Sequence, residues 1–216
     1  MGLIINTKIK QLLKGYPTVS DKYNVAGGTN TDENPMEFGE VVKYGEQTGY
    51  YKKFDATPAA GEVAGICMAK NVKLVNFYPA DGKQAQIMPG EAIDLFVDGY
   101  IAVELAEDMT TVTDGVKTTD VEIVAGKKYY TRTGEGTEAS PYVFTKVASP
   151  VVGDIATYYE ATAAKANAIN EGTLAYLTFE DGAVKFTSTS NTVQYGKFTG
   201  ITEYNYGAFL AEIVVK

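Results

Sequence analysis

The chain has 216 residues, 45% of them hydrophobic, enough for one large or two small domains and too apolar for wholesale disorder. It contains no histidine, which removes serine–histidine and cysteine–histidine dyads, zinc-hydrolase motifs and most transition-metal sites together. With 27 acidic against 19 basic residues the net charge is −8, a field that repels nucleic acid and anionic lipid, so neither nucleic acid nor a membrane is expected as a partner.

The start, MGLIINTKIK, has neither the charged n-region nor the long apolar h-region of a secretory signal, and no run approaches the roughly 20 apolar residues of a membrane helix. A soluble, unsecreted chain is expected. In IKQLLKGYP, Ile9, Leu12 and Leu13 fall at helical spacing, but the pattern stops at Gly15 and Pro17 after barely two turns, below the length that is stable alone. Residues 18 to 36 are polar and rich in Gly and Asn, so residues 1–35 are read as an extended arm.

From residue 36 the composition turns strand-like. GEVVKYG, GYYKKF, GEVAGICMAK and VKLVNFYP each carry four to eight residues of β-branched and aromatic character between Gly, Pro or Asp punctuation. Cys67 stands alone within the third of these and reads as a small buried apolar residue; a single cysteine permits no intrachain disulfide. In EAIDLFVDGYIAVEL, Ile93, Leu95 and Val97 alternate on the way in and Ile101, Val103 and Leu105 on the way out, which predicts a hairpin turning at Asp98-Gly99.

After Leu105 the polar, threonine-rich AEDMTTVTDGVKTTD opens a stretch, residues 107–168, that reads as a module inserted between two halves of one sheet system. Its predicted strands lie at KKYYTRT, PYVFTKV and IATYYE. The alanine-rich ATAAKANAIN that follows is expected to form one or two helical turns or a linker. Adjacent strand residues face opposite ways, so each doublet, Tyr129-Tyr130 and Tyr158-Tyr159, is expected to place one ring inward and one outward. A second hairpin is predicted in TLAYLTFEDGAVKFTST around Asp181-Gly182, and GAFLAEIVVK alternates as a terminal strand.

Carboxylates do not assemble a site on this reading. Glu91 and Asp94 point to opposite faces of a strand and Asp98 is a turn residue, while Asp108, Asp114 and Asp120 lack the glycine and glutamate offsets of a calcium loop. Neither GEGTE nor AGGTN is followed by the Lys-Ser/Thr or the helix start that a phosphate loop requires. No catalytic residue, metal site or cofactor is expected, and a carboxylate-based glycosidase has no convincingly placed acid pair. The fold class is all-β: a small β-barrel or sandwich body, residues 36–106 with 169–216, an extended N-terminal arm, and an inserted small β-rich module.

In the order GEVVKYG, GEVAGICMAK, PGEAIDLFVDGYIAVEL and GKFTGITEYNYGAFLAEIVVK, the chain resembles tailed-phage head-decoration proteins, also called structural cement proteins, over roughly residues 36–106 and 171–216. The resemblance implies a non-enzymatic protein made in the host cytoplasm and placed on the outer surface of the virion, where it binds the major capsid protein and stabilises the shell. It implies a homo-oligomer, by family habit a trimer, and an arm reaching over neighbouring subunits, with Ile4, Ile5, Ile9, Leu12, Leu13 and Tyr16 as its contact residues. The inserted module exceeds a minimal member of that family and is expected to project outward. The competing reading is a carbohydrate- or cell-surface-binding module of a phage fibre or adhesin, and Tyr130, Tyr142 and Tyr159 are the insert residues expected to meet a glycan or host surface.

Overall fold

The β-branched and aromatic runs become strands in the computed structural model of the chain, which describes residues 12–18, 23–68, 86–191, 193–205 and 208–216. The chain divides into two compact units, a body formed by Met1–Met109 with Ala168–Lys216 and a second unit formed by Thr110–Asn167. Among the described residues no helix is long and apolar enough to cross a membrane. The expected strand at VKLVNFYP lies outside the described residues; of IKQLLKGYP, residues 12–17 are described and form a turn with a bridge from Pro17 to Ile101, not a helix.

The body contains β1 (Tyr23–Asn30), β2 (Met36–Glu37), β3 (Val41–Tyr44), β4 (Tyr50–Lys53), β5 (Val63–Cys67), β6 (Gln86–Ile87) and β7 (Ala92–Glu104). Strand β1 pairs in parallel with β4 and antiparallel with β7, so β1, β4, β3, β5 and β7 close into a five-stranded circuit. Its interior is packed by Met36, Phe38, Val42, Tyr51, Ile87, Ile93 and Leu95, with Cys67 among them. Burial pushes the Cys67 thiol well above its ordinary pKa, which makes it an inert core residue.

Two expectations are corrected here. Residues 23–30, read as part of an arm, are a sheet strand, because β1 supplies seven register partners along β7, from Tyr23 opposite Gly99 to Thr29 opposite Ala92. And Asp98-Gly99 is no hairpin turn: β7 runs unbroken for 13 residues. Gly99, at φ +118°, marks the point where β7 changes partners, from β1 to the chain's last strand. The alternation on either side of Asp98-Gly99 was real. Each half satisfies its backbone with a different neighbour instead of with the other half.

The remaining body strands are β12 (Leu174–Glu180), β13 (Ala183–Thr187), β14 (Gln194–Asn205) and β15 (Ala208–Val215), which extend the sheet from β7 in the order β15, β14, β12, β13. The second predicted hairpin forms: Glu180 opposes Ala183, and Asp181 and Gly182 take φ of +53° and +80°, the two left-handed positions that a tight hairpin turn demands. The terminal strand is also present, paired to both β14 and β7. A bridge between Leu105 and Phe186 returns the far edge, β13, to the end of β7.

This return covers the sheet on both sides. Val41, Ile66 and Phe96 are register partners, so they share one face, and all three are fully buried, on the face opposite that of Cys67 and Leu95. Strand β13 approaches both β3 and β7.

The second unit has one four-stranded sheet, β8 (Thr110–Lys117), β9 (Tyr130–Thr133), β10 (Val143–Lys146) and β11 (Tyr159–Ala166), in the order β10-β9-β11-β8. The alanine-rich stretch expected to be helical or a linker is the body of β11, antiparallel to β8 along Thr110–Lys117. Eight residues cannot sustain a helix by propensity alone, and the neighbouring strand supplies a ladder along β11 that is irregular only around Ala163.

Candidate contact surfaces

Residues 12–18 are stitched to the body by main chain and side chain together. Gly15 N–H donates to Ala102 O at 2.9 Å, Ala102 N–H to Tyr16 O at 3.2 Å, and Thr18 N–H to Tyr100 O at 3.0 Å. The peptide of Leu12 is held from both sides: its N–H donates to Glu203 Oε2 at 2.7 Å and its carbonyl accepts from Asn205 Nδ2 at 2.8 Å. Gly15 (φ +73°) and Gly39 (φ +79°) pass so closely that a Cβ on Gly15 would overlap the Gly39 nitrogen and stand 2.8 Å from the Cys67 carbonyl oxygen.

A buried ammonium fastens the same segment. Lys14 Nζ lies 2.7 Å from Glu104 and 3.4 Å from Glu37, and Glu104 also takes Lys185 at 3.1 Å. Burial opposes the charge on Lys14, but attraction to Glu104 and Glu37 outweighs it and raises the lysine pKa. Glu104 is likewise opposed by burial and held below its ordinary pKa by Lys14 and Lys185.

These bonds decide what the expected arm residues can offer. Leu12 is 4% exposed and packs with Ala102 and Leu210, so its side chain faces the body's own core rather than a partner. Leu13 and Tyr16 are half-buried against the barrel cluster. Ile4, Ile5 and Ile9 lie outside the described residues.

In the second unit both tyrosine doublets are used, one ring on each side of the sheet. Tyr129 and Tyr158 pack at 5.8 Å between centroids with Ile155, beside Ile123 and Val147. Tyr129 Oη donates to Asp120 at 2.7 Å and accepts from Val124 N–H, and Tyr158 Oη accepts from Val151 N–H at 3.2 Å. Lys127 joins Asp120 at 2.7 Å and Glu160 at 2.9 Å; hydrogen bonds to these two carboxylates raise its pKa, and the same bonds lower both of theirs.

On the other side of the sheet lie Tyr130, opposite Tyr159, and Phe144, whose ring rests where a Cβ on Gly115 of β8 would stand. Because Phe144 belongs to β10 and two strands separate it from β8 in the pairing order, the sheet curls over this face. Tyr130, expected to face outward, is therefore only 7% exposed, Tyr159 is half-buried, and Tyr142 is 41% exposed. The sequence missed Arg132, whose guanidinium lies 4.1 Å from the Tyr142 ring and 4.4 Å from the Tyr159 ring.

The carboxylates that the sequence brought forward are engaged separately: Glu91 accepts from Met88 N–H in a turn, Asp98 accepts from Asn24, and Asp108 accepts from Thr187 and Thr189 at the edge of a small cleft. Among the described residues no three His, Cys, Asp or Glu side chains are grouped to hold a metal. A larger cleft of about 470 Å³ in the body is lined by Tyr44, Val97, Tyr195, Lys197 and Lys216.

The family model described as Structural cement protein (E217 gp24/Pam3 gp6), a phage cement family, matches residues 5–158. The chain belongs to that family, and with membership comes a non-enzymatic, capsid-stabilising role in the virion. The matched span takes in residues 107–158, which the resemblance had left aside as a departure, and ends before the closing strands. A search of curated proteins returned no match to the chain.

Proposed function

We propose that the body seats on the outer surface of the assembled phage capsid, bound to the major capsid protein, and that the chain upstream of Leu12 extends the contact while the second unit faces the medium. The family match carries this reading. Charge distribution supports it: residues 110–167 hold six Lys and Arg against seven Asp and Glu, leaving 13 against 20 for the rest, so acidity concentrates in the body. An acidic body suits the outside of a DNA-filled shell better than the inside.

Stabilisation follows from mass action. A ligand that binds only the expanded lattice shifts the equilibrium toward that lattice, and modest interfaces suffice when repeated over many copies or through an oligomer. Purified protein mixed with undecorated heads is expected to bind saturably and raise their resistance to heat; neither effect appearing would remove the proposal. Sedimentation of the free protein tests the trimer.

The reading as a carbohydrate- or cell-surface-binding module is kept for the second unit alone, on the strength of exposed Tyr142 and Arg132. Ring stacking on sugar is not its basis, since Tyr142 and Tyr159 each turn one face to Arg132.

A further inference from the structure

Arg132 lies against two aromatic rings and is otherwise exposed. Tyr142 and Tyr159 stack on the guanidinium, Phe144 braces Tyr159 edge-on at 6.0 Å, and Tyr142 is seated in turn against Gly136, where any Cβ would strike its ring. The loop carrying Gly136 is itself tied down, because Ser140 O accepts the N–H groups of Glu135, Gly136 and Thr137. Arg132 is exposed, yet among the described residues no acceptor takes a hydrogen bond from its guanidinium and no carboxylate pairs with it.

Two rings against the guanidinium carbon restrict the rotamer freedom that an exposed arginine normally keeps. What remains available is a flat fork of N–H donors, which matches the two oxygens of a carboxylate. Register places Lys146 opposite Tyr130 and Lys117 opposite Tyr159, so two further cations share this face in a chain of net charge −8. Each ring already gives one face to Arg132, so the cation rather than the rings is the distinctive group here. The anionic group is what the site can read.

We propose that Arg132, clamped between Tyr142 and Tyr159, is a binding site for the carboxylate of a small ligand or exposed side chain. The proposal stands apart from capsid seating, since it concerns the second unit's own chemistry. The carboxylate could be carried by a uronic-acid sugar or by an acidic residue of another protein, and the two are separable by titration.

The test is an NMR titration of the full chain with sodium glucuronate, with N-acetylated glutamate, with neutral glucose, and with sodium chloride at matched ionic strength. The Arg132 Nε–H signal and the backbone amide signals of β9 are expected to shift saturably with the carboxylates and to stay put with glucose or chloride, and the amides carry the readout into the variants. Arg132→Gln should abolish the response, and Arg132→Lys should weaken it by about fivefold or more because a point charge cannot fork. Tyr142→Leu, which unlocks the guanidinium without removing it, should weaken it by about threefold. Tighter binding of glucuronate assigns the site to acidic saccharide, and tighter binding of the acetylated amino acid assigns it to a protein carboxylate. No saturable shift with either carboxylate, an unchanged response in Arg132→Gln, or full retention in the Lys variant would overturn the proposal.

Discussion

The body and the second unit solve the same problem with different side chains. In the body, strands such as β7 are covered on both faces, and the buried residues are Phe, Ile, Leu and Val: Phe96, Ile66, Leu95, Ile101, Phe186, Phe198 and Ile213 are all 1% exposed or less. The second unit has Tyr129, Ile155 and Tyr158 as its buried cluster, with Ile123 and Val147 beside it, and much of the rest is polar at the tip: tyrosine hydroxyls on main-chain N–H groups, a lysine shared by two carboxylates, an arginine against two rings. A unit that short cannot bury much surface, so it relies on aromatic residues that pack with the ring and bond with the hydroxyl. The body is held by burial, and the second unit by geometry.

The comparison breaks first, and most visibly, at the body's core. Phe96→Ala removes a fully buried ring on the face shared with Val41 and Ile66 and is expected to lower stability by about 3–5 kcal/mol in chemical denaturation. A loss near zero would mean that the second layer over β3, β5 and β7 does not close.

Next comes the ionic fastening of residues 12–18. Glu104→Ala leaves Lys14 buried without its nearest partner and is expected to cost about 2–3 kcal/mol. The pH dependence has a definite sign. Glu104 is depressed in the folded state, so its contribution is present above the ordinary glutamate value of 4.5 and is lost as pH falls through the depressed one. Lys14 is raised, so its contribution is complete below 10.5 and is lost as pH climbs past that value. Glu40, raised mainly by burial, acts in the opposite direction to Glu104 in the acid range. Comparing acid denaturation of the wild type with Glu104→Gln isolates the Glu104 part, and identical acid limbs would count against the pair.

A smaller effect is expected at the close approach of two backbones. Gly15→Ala adds a Cβ at positive φ into the space of Gly39, for about 2 kcal/mol, and should release the segment locally rather than unfold the body. Hydrogen exchange is the readout: the amides of Gly15, Thr18 and Ala102 should lose protection while those of β14 and β15 keep theirs.

The smallest change is in the second unit. Tyr129→Phe keeps the ring and deletes one hydroxyl that serves both Asp120 and Val124, so its melting, followed by near-UV circular dichroism, should fall by a few degrees. If it fell as far as Phe96→Ala lowers the body, the second unit would depend on its hydroxyls far more than on its rings.

Local pattern was enough for much of this protein. The absent histidines, the alternating runs, the Asp181-Gly182 turn with both residues left-handed, and the order of strand-like segments are properties of neighbouring residues, and they led to an all-β fold and to the cement family. Partners distant in sequence decided the rest. Whether Asp98-Gly99 turns or runs straight depends on β1 and β15 lying beside β7, and whether Tyr130 is exposed depends on Phe144 reaching over to Gly115. The role of Arg132 was equally hidden, because its two rings come from positions 142 and 159 and meet only when the sheet curls. Periodicity along one strand reports which side chains share a face; what covers that face is set by long-range pairing, whose cost in chain entropy is met only by the assembled fold.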